Sequence, residues 1–211
     1  MSIFKIRDVV YANLLKYSHI DIKQGIMTFI RGESGSGKSS LLRLLNYSRS
    51  YDSGAIYYRD KLISEYEPLE LRREVSLIAQ EVFLVDGTIY DNFKFFYEAR
   101  GLEVPSEQVL QEFLSIACLP GSLERNIQNL SGGEKQRAYL AIFMSFEPKV
   151  LMLDEPTAAL DEATSRQVMD NIKMHSLKRG TTVIVISHSQ ALADTYADEI
   201  VHIIKEEIGH A

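Results

Sequence analysis

The sequence predicts an α/β fold with a mainly parallel sheet at its core. Three observations support this: short unbroken apolar runs, a glycine-rich segment directly after one of them, and helical patterns in the intervals between them. Unbroken apolar runs are typical of strands that are covered on both faces, and the intervening helices would provide that cover. We therefore expect polar residues to gather at the edge where the parallel strands end.

The strand predictions differ between the N-terminus and the rest of the chain. Residues 3–9 and 20–22 alternate between apolar and polar side chains, which predicts half-buried strands. Apolar β-rich runs that predict buried strands are residues 26–30, 75–79, 150–153 and 182–186, with a last candidate at 200–204.

Helices are predicted between these strands. A leucine-rich helix follows the glycine-rich segment, and a second helix, with Ser106 as its N-cap, covers residues 109–117. Because residues 81–147 contain no convincing buried strand, we expect a helical subdomain there. The rest of a single domain spanning residues 1–211 would then be a core of residues 1–80 and 148–211.

Composition excludes several classes of protein. The 211 residues are 45% hydrophobic and 25% charged, as in ordinary globular proteins. A formal net charge of −6 argues against nucleic acid as a partner. A single cysteine, Cys118, rules out an internal disulfide and a cysteine-based zinc cluster. Since no leader and no apolar stretch of about 20 residues is seen, we expect any membrane role to depend on a partner.

A phosphate-binding loop is the strongest motif. Residues 32–39, GESGSGKS, match the pattern G-x-x-x-x-G-K-[ST] between a predicted strand and a predicted helix. Glycines let backbone N–H groups turn toward phosphates, and the helix N-terminus adds partial positive charge. In this pattern Lys38 reaches the β- and γ-phosphates, and the Ser39 hydroxyl binds Mg²⁺. The candidate nucleotide-binding residues here are Gly32, Ser34, Gly35, Ser36, Gly37, Lys38, Ser39 and Ser40.

Two carboxylates follow the apolar run at residues 150–153. Asp154 is placed to hold a metal ion, and Glu155 is placed to orient or deprotonate an attacking water. Acidic residues after an apolar strand are common and carry little weight alone. Together with a phosphate loop they predict Mg²⁺ bound to a nucleoside triphosphate.

Polar residues follow several predicted strands in the same way. Gly32, Gln80, Asp154 and His188 each come just after the end of an apolar run. Ligands of open α/β sheets bind at the edge formed by the carboxyl ends of the strands. We therefore expect one site that contains all four residues.

Residues 130–137, LSGGEKQR, form a second unusual segment. Ser131 and Glu134 match a capping box at the start of a helix. The box does not explain Gly132 and Gly133, because consecutive glycines destabilise the first helical turn. A second anion-binding helix terminus does explain them.

Taken in order, these motifs resemble those of the ABC transporter ATPase family over essentially the whole chain. Residues 130–137 look like the family signature, Gln80 like its Q-loop, residues 159–161 like its D-loop and His188 like its switch histidine. Tyr11 is the best match to the aromatic residue that stacks on adenine. Two mild departures are Ser40, where threonine is usual, and Ala158, where serine is usual.

The resemblance implies a P-loop NTPase of the ABC type, with a RecA-like core, an antiparallel β subdomain and a helical subdomain that carries the signature. It also implies Mg²⁺-dependent ATP hydrolysis by two identical copies that clasp two ATP molecules. The implied roles are catalysis for Lys38, Glu155 and His188, Mg²⁺ binding for Ser39, Gln80 and Asp154, and action on the partner's ATP for Ser131, Gly132, Gly133, Glu134 and Asp161.

The segment after Gln80 indicates a transporter subunit. Residues 87–92 resemble the same region of exporter ATPases, and in the family residues equivalent to about 81–97 face the membrane subunit. The resemblance is strongest to stand-alone ATPases of bacterial two-component exporters of iron or other metals. It implies a cytoplasmic protein, peripheral on the inner face of the cell membrane.

Other functions stay open at this point. A soluble ABC ATPase serving iron–sulfur assembly, repair or translation would carry the same motifs. A phosphate-loop kinase would have no use for residues 130–137, and a regulatory module without hydrolysis would not need Glu155 and His188.

Overall fold

The computed structural model describes residues 1–121 and 123–204. In these ranges the strands are β1 Ser2–Tyr11, β2 Leu15–Lys23, β3 Met27–Arg31, β4 Ser53–Tyr58, β5 Lys61–Leu62, β6 Val75–Ile78, β7 Val150–Asp154, β8 Thr182–Ile186 and β9 Glu199–His202. The helices are α1 Lys38–Leu45, α2 Pro68–Glu74, α3 Ile89–Ala99, α4 Glu107–Ile116, α5 Gly132–Ser145, α6 Glu162–Arg179 and α7 Gln190–Tyr196.

The predicted parallel sheet is confirmed. Five strands pair in the order β6-β7-β8-β3-β9, and every pairing is parallel. All residues of β7 and β8 are buried, as expected for strands covered on both faces. Because the strands run the same way, the segments after β3, β6, β7 and β8 leave the sheet at one edge.

A second, antiparallel sheet has the order β2-β1-β4-β5. The sequence indicated β1 and β2, but β4 and β5 were not predicted. In β4 only Ile56 and Tyr58 are buried, which is too short a pattern to stand out. These side chains join β1, α1 and alternate residues of the parallel strands, such as Met152, in one core cluster. Its packing holds the antiparallel sheet against α1.

Helices occupy the segment between residues 81 and 147. The structure places α3, α4 and α5 there, with an isolated bridge between Thr88 and Asn126. They pack with α6 on the other face of the parallel sheet, through Leu151 and its alternate neighbours. Ser106 precedes α4 as predicted, although its side chain makes no capping hydrogen bond. The division into a core and a helical subdomain stays a prediction.

Among the residues that the structure describes, no helix is both long enough and apolar enough to cross a bilayer.

Candidate nucleotide site

A cavity of about 430 Å³ lies at the edge where the parallel strands end. Its walls come from the phosphate loop, the segments after β6, β7 and β8, and the β1–β2 hairpin. The lining residues are Leu14, Leu15, Ser34, Gly35, Gly37, Lys38, Ser39, Ser40, Gln80, Asp154, Glu155, Ala158, Ile186 and His188. Gln80, Asp154 and His188 therefore meet the phosphate loop in one place. Gly32 and Ser36, which were predicted to share the site, do not line this cavity.

The phosphate loop is held in shape by close packing around its glycines. Gly37 has φ +92° and begins α1, and a Cβ there would lie 2.5 Å from the Tyr17 hydroxyl. That hydroxyl donates a hydrogen bond to the Gly37 carbonyl at 2.8 Å. At Gly32 a Cβ would collide with the Ile203 carbonyl oxygen. Both positions exclude any side chain. At Gly35 a Cβ would meet nothing within 4 Å, and only the left-handed φ of +77° favours glycine there.

Lys38 lies across the loop that precedes it. Its ammonium group donates to the carbonyls of Gly32 at 2.9 Å and Glu33 at 2.8 Å, and the residue is buried. The hydroxyl of Ser36, next to this arrangement, is buried and has no hydrogen-bond partner among the described residues. The loop thus holds a cation and backbone donors around a concave surface, which suits a phosphate chain.

Glu155 is held in an uncommon backbone conformation. Its φ is +53°, a left-handed value that costs on the order of 1–3 kcal/mol for a non-glycine residue. Its N–H donates to the Ile186 carbonyl at 3.0 Å, and its own carbonyl accepts from the Gln136 side chain at 3.0 Å. Packing from β8 and α5 therefore fixes where this carboxylate points.

The Glu155 carboxylate is poorly solvated. Oε1 is buried, has no hydrogen-bond partner in the part of the chain that the structure describes, and lies 3.5 Å from Nε2 of His188. Oε2 accepts from the His188 backbone N–H at 3.4 Å. Burial raises the pKa of Glu155 above its usual value, and the neighbouring imidazole partly opposes this effect. A carboxylate with a raised pKa in a cavity has the properties of a general base.

The oxygen-bearing side chains in the cavity are suitable ligands for Mg²⁺. The Ser39 hydroxyl, the Gln80 amide and the buried Asp154 carboxylate all offer oxygen atoms to the same space. Mg²⁺ prefers oxygen ligands and is often bound by one or two protein groups together with substrate phosphates.

The segment at residues 130–137 begins α5 outside this cavity. Ser131 is the N-cap, and its Oγ accepts from the Glu134 N–H at 3.3 Å while the Glu134 carboxylate accepts from the Ser131 N–H at 2.9 Å. The predicted capping box is confirmed. Arg125 donates to Glu134 at 2.6 Å, and hydrogen bonds from Arg125 and the Ser131 backbone lower the pKa of Glu134 to about 2.

Asp161 caps a helix of its own chain. It is the N-cap of α6 and accepts from the backbone N–H of Thr164 at 2.9 Å and from its hydroxyl at 2.7 Å. Like Ser131, Gly132, Gly133 and Glu134, it does not line the cavity. The sites predicted to act on a second copy are therefore separate from the nucleotide cavity of their own chain.

The two consecutive glycines of α5 have different surroundings. A Cβ at Gly133 would lie 2.9 Å from the Ala159 carbonyl oxygen and 3.0 Å from the Leu160 side chain, whereas a Cβ at Gly132 would meet nothing within 4 Å. Packing against the segment before α6 therefore explains Gly133. Among the residues that the structure describes, no contact within the chain explains Gly132.

This difference predicts unequal effects of alanine. We expect Gly133→Ala to lower the free energy of unfolding by about 1–3 kcal/mol, because backbone must move away from the new methyl group. We expect Gly132→Ala to cost nothing or to stabilise slightly, since alanine favours a helix. Urea unfolding of both variants measures this, and equal destabilisation would contradict the contact.

Sequence reasoning missed several residues of the site. Leu14 and Leu15 line the cavity beside the loop, and Gln136 supports the Glu155 backbone. Gln136 lies within the 130–137 motif, which was the available signal for it. Tyr11 does not line the cavity; it is half-buried at the end of β1, opposite Leu15. Its predicted contact with the base stays a prediction.

The chain is similar to known proteins over most of its length. The ABC transporter family model matches residues 15–158. ABC transporter I family member 17 of Arabidopsis thaliana is 35% identical over 210 residues, covering 95% of this chain and 80% of that protein. The probable iron export ATP-binding protein FetA of Escherichia coli (strain K12) is 35% identical over 192 residues (90% and 82%). The phosphate import ATP-binding protein PstB of Malacoplasma penetrans is 32% identical over 227 residues (98% and 78%).

Solved structures share the fold. One is cbiO1 from Clostridium perfringens, part of the ABC transporter complex cbiONQ, with a TM-score of 0.82 and 26% identity over 97% of this chain and 85% of that one. Another is an ATP-binding cassette dimer in a post-hydrolysis state with ADP and Pi, with a TM-score of 0.83 and 24% identity over 99% and 100%. The chain belongs to the ABC transporter family and is one of its ATP-binding, ATP-hydrolysing subunits.

Proposed function

We propose that this subunit hydrolyses Mg²⁺-bound ATP between two identical copies and drives a separate membrane subunit from the cytoplasmic face of the cell membrane. One observation carries the proposal. The cavity collects the phosphate loop, Gln80, Asp154, Glu155 and His188, while the Ser131–Gly133 turn lies outside it. A nucleotide bound in the cavity can therefore meet such a turn only on another chain.

Hydrolysis follows from the geometry of the cavity. The Lys38 ammonium exchanges the loop carbonyls for the β- and γ-phosphate oxygens. Ser39, Gln80 and Asp154 would hold Mg²⁺, which would neutralise charge on the phosphates when bound. The Glu155 carboxylate takes a proton as the water oxygen bonds to the γ-phosphorus and the bond to the β–γ bridging oxygen breaks. His188 lies against Glu155 and orients the carboxylate, and the products are ADP and inorganic phosphate.

The second copy completes the site. Within its own chain the Ser131 side chain is hydrogen-bonded to the Glu134 N–H and to the Glu134 carboxylate, and its hydroxyl hydrogen would leave that carboxylate for a phosphate in the dimer. It donates to the γ-phosphate on the other chain together with the exposed N–H groups at the start of α5. Asp161 stabilises the second ATP site at the same interface between the two chains. Loss of the γ-phosphate removes this shared anion and opens the dimer.

An exposed aromatic surface after Gln80 supports docking of the membrane subunit through residues 81–97. Phe83 is 59% exposed and Phe95 is 41% exposed, with ring centroids 6.3 Å apart. Phe96 contacts both rings and anchors them to Tyr139. Exposed apolar groups that form one patch are typical of interaction sites.

Iron or another metal is the cargo we propose for export. The support is the identity shared with the iron export protein FetA over 90% of this chain. The chain is also similar to a phosphate importer. ATP-dependent import of another solute is therefore the result that would contradict metal export. Vesicles holding the chain and its membrane subunit decide between them by ATP-dependent movement of Fe²⁺.

Negative charge introduced into the aromatic patch formed by Phe83 and Phe95 tests whether this surface docks on the membrane subunit. We expect the double change Phe83→Asp and Phe95→Asp to abolish recovery of the chain with solubilised membranes, while ATPase activity of the purified chain stays unchanged. Leu177→Asp is the matched control, because Leu177 is 62% exposed on α6, away from the patch. Recovery of the double variant at the wild-type level, or recovery of the wild type with soluble proteins alone, would contradict the proposal.

A further inference from the structure

We infer that Arg125 neutralises the Glu134 carboxylate, so that the γ-phosphate of the second copy's ATP can approach the Ser131–Gly133 turn. The inference rests on the proposed binding of that phosphate by the turn. It makes Arg125 a positioning residue, which acts through Glu134 and does not line the nucleotide cavity of its own chain.

The Glu134 carboxylate belongs to the turn itself. One of its oxygens accepts from the Ser131 N–H at 2.9 Å, so the carboxylate lies beside the hydroxyl that is proposed to reach the phosphate. A phosphate oxygen bound to that hydroxyl would lie roughly 5–6 Å from the carboxylate, which is two hydrogen-bond lengths. Because hydrogen bonds from Arg125 and the Ser131 backbone lower the pKa of Glu134 to about 2, the group is ionised at neutral pH. Without compensation, two anions would repel each other at the start of α5.

Arg125 supplies the compensating charge. Its Nη2 donates to Oε1 of Glu134 at 2.6 Å, which is the oxygen that the Ser131 N–H does not use. The Arg125 and Glu134 side chains are 37% and 24% exposed, so salt screens this pair less than a fully exposed one. When the Ser131 hydroxyl turns from the carboxylate to the phosphate, the guanidinium and the Ser131 N–H keep the carboxylate hydrogen-bonded.

The backbone holds Arg125 in place. Its carbonyl accepts from the Ile89 N–H at 3.0 Å, and an isolated bridge joins the next residue, Asn126, to Thr88. The start of α3 therefore fixes the backbone from which the guanidinium reaches Glu134. The planar guanidinium loses little conformational entropy for each hydrogen bond that it forms, which suits it to this role.

The sum of the two charges predicts how three variants dimerise in ATP. Arg125→Gln leaves a carboxylate uncompensated, Glu134→Gln leaves a guanidinium uncompensated, and the double change removes both charges. Glutamine at position 134 still accepts from the N-cap N–H, so the capping box is retained. We expect Glu134→Gln to dimerise more tightly than the wild type and the double variant to stay within about threefold of it. Arg125→Gln should dimerise about tenfold more weakly or worse, because two like charges at this separation repel each other.

Sedimentation equilibrium in ATP and Mg²⁺ measures the dimerisation constants, with Glu155→Gln present in every chain to prevent hydrolysis. Two further readouts separate charge from structure. Arg125→Lys keeps the charge and should recover most of the dimerisation that Arg125→Gln loses. Added salt should narrow the gap between Arg125→Gln and the unsubstituted residue, because screening weakens the repulsion.

A matched control lies at the other end of α5. The guanidinium of Arg179 contacts the Glu147 carboxylate at 2.6 Å, the same distance as in the Arg125 pair, and Glu147 follows the last turn of α5. We expect Arg179→Gln to leave dimerisation in ATP unchanged, since this pair is far along the helix from the turn.

Two results would overturn the inference. One is an Arg125→Gln chain that dimerises as tightly as the chain with arginine. The other is a double variant as weak as Arg125→Gln, because Arg125 would then act by holding the fold and not by its charge. If the chain that carries Glu155→Gln alone stays monomeric in ATP, the proposed sharing of ATP between two copies is rejected, and the inference falls with it.

Discussion

Replacement of Glu155 by glutamine is expected to slow ATP hydrolysis by about two to four orders of magnitude while ATP binding is retained. The amide has nearly the shape of the carboxylate but cannot take a proton from water. The phosphate loop and Lys38 are unchanged by it, so the nucleotide still binds. We expect the variant to accumulate as an ATP-bound dimer, measured by size-exclusion chromatography in ATP and Mg²⁺.

A second variant distinguishes loss of catalysis from loss of nucleotide binding. Lys38→Ala removes the cation of the phosphate loop, so it should lose nucleotide affinity and stay monomeric in ATP. If Glu155→Gln also stays monomeric, or hydrolyses ATP at the wild-type rate, Glu155 is not the general base.

The raised pKa of Glu155 leads to two further predictions, one for the wild type and one for Glu155→Gln. Because burial raises that pKa, hydrolysis by the wild type should fall on the acid side at a pH above the usual glutamate value of about 4.3. A carboxyl group with a raised pKa stabilises the fold at low pH and loses that contribution as pH rises through the folded pKa. Glu155→Gln should therefore have the higher Tm at pH 7, and the difference should shrink in acid.

Replacement of Ser131 by arginine should abolish most hydrolysis while each chain still binds ATP. The residue lies outside the nucleotide cavity of its own chain, so a long cationic side chain there cannot block that cavity. It would instead obstruct the γ-phosphate of the second copy and prevent the dimer from closing. Steady-state hydrolysis and ATP affinity are measured in parallel on the same preparation.

Mixing experiments separate this effect from misfolding. A chain with Ser131→Arg still supplies an intact cavity, and a Lys38→Ala chain still supplies an intact serine-diglycine turn. An equal mixture should recover part of the wild-type activity, because one of the two shared sites is then complete. Turnover unchanged in the Ser131→Arg variant alone would show that the turn is not half of a shared site.

Much of the fold was predictable from the sequence because the relevant signals are local. The unbroken apolar runs of β7 and β8 and the pattern around the phosphate loop each lie within a few residues, and these elements form as expected. Strands β4 and β5 were missed because Ile56 and Tyr58 alone make too short an alternation.

The sequence by itself determined which chemical groups are present and their order along the chain. The convergence of Gln80, Asp154 and His188 follows from that order, because parallel strands end at one edge of the sheet. Tertiary structure decided everything that depends on contact between distant segments. It set Gly133 against Ala159, held Glu155 in a left-handed conformation between Ile186 and Gln136, and placed Leu14 rather than Tyr11 on the cavity wall. Such distances depend on how the sheets and helices pack together, and no short window of residues encodes them.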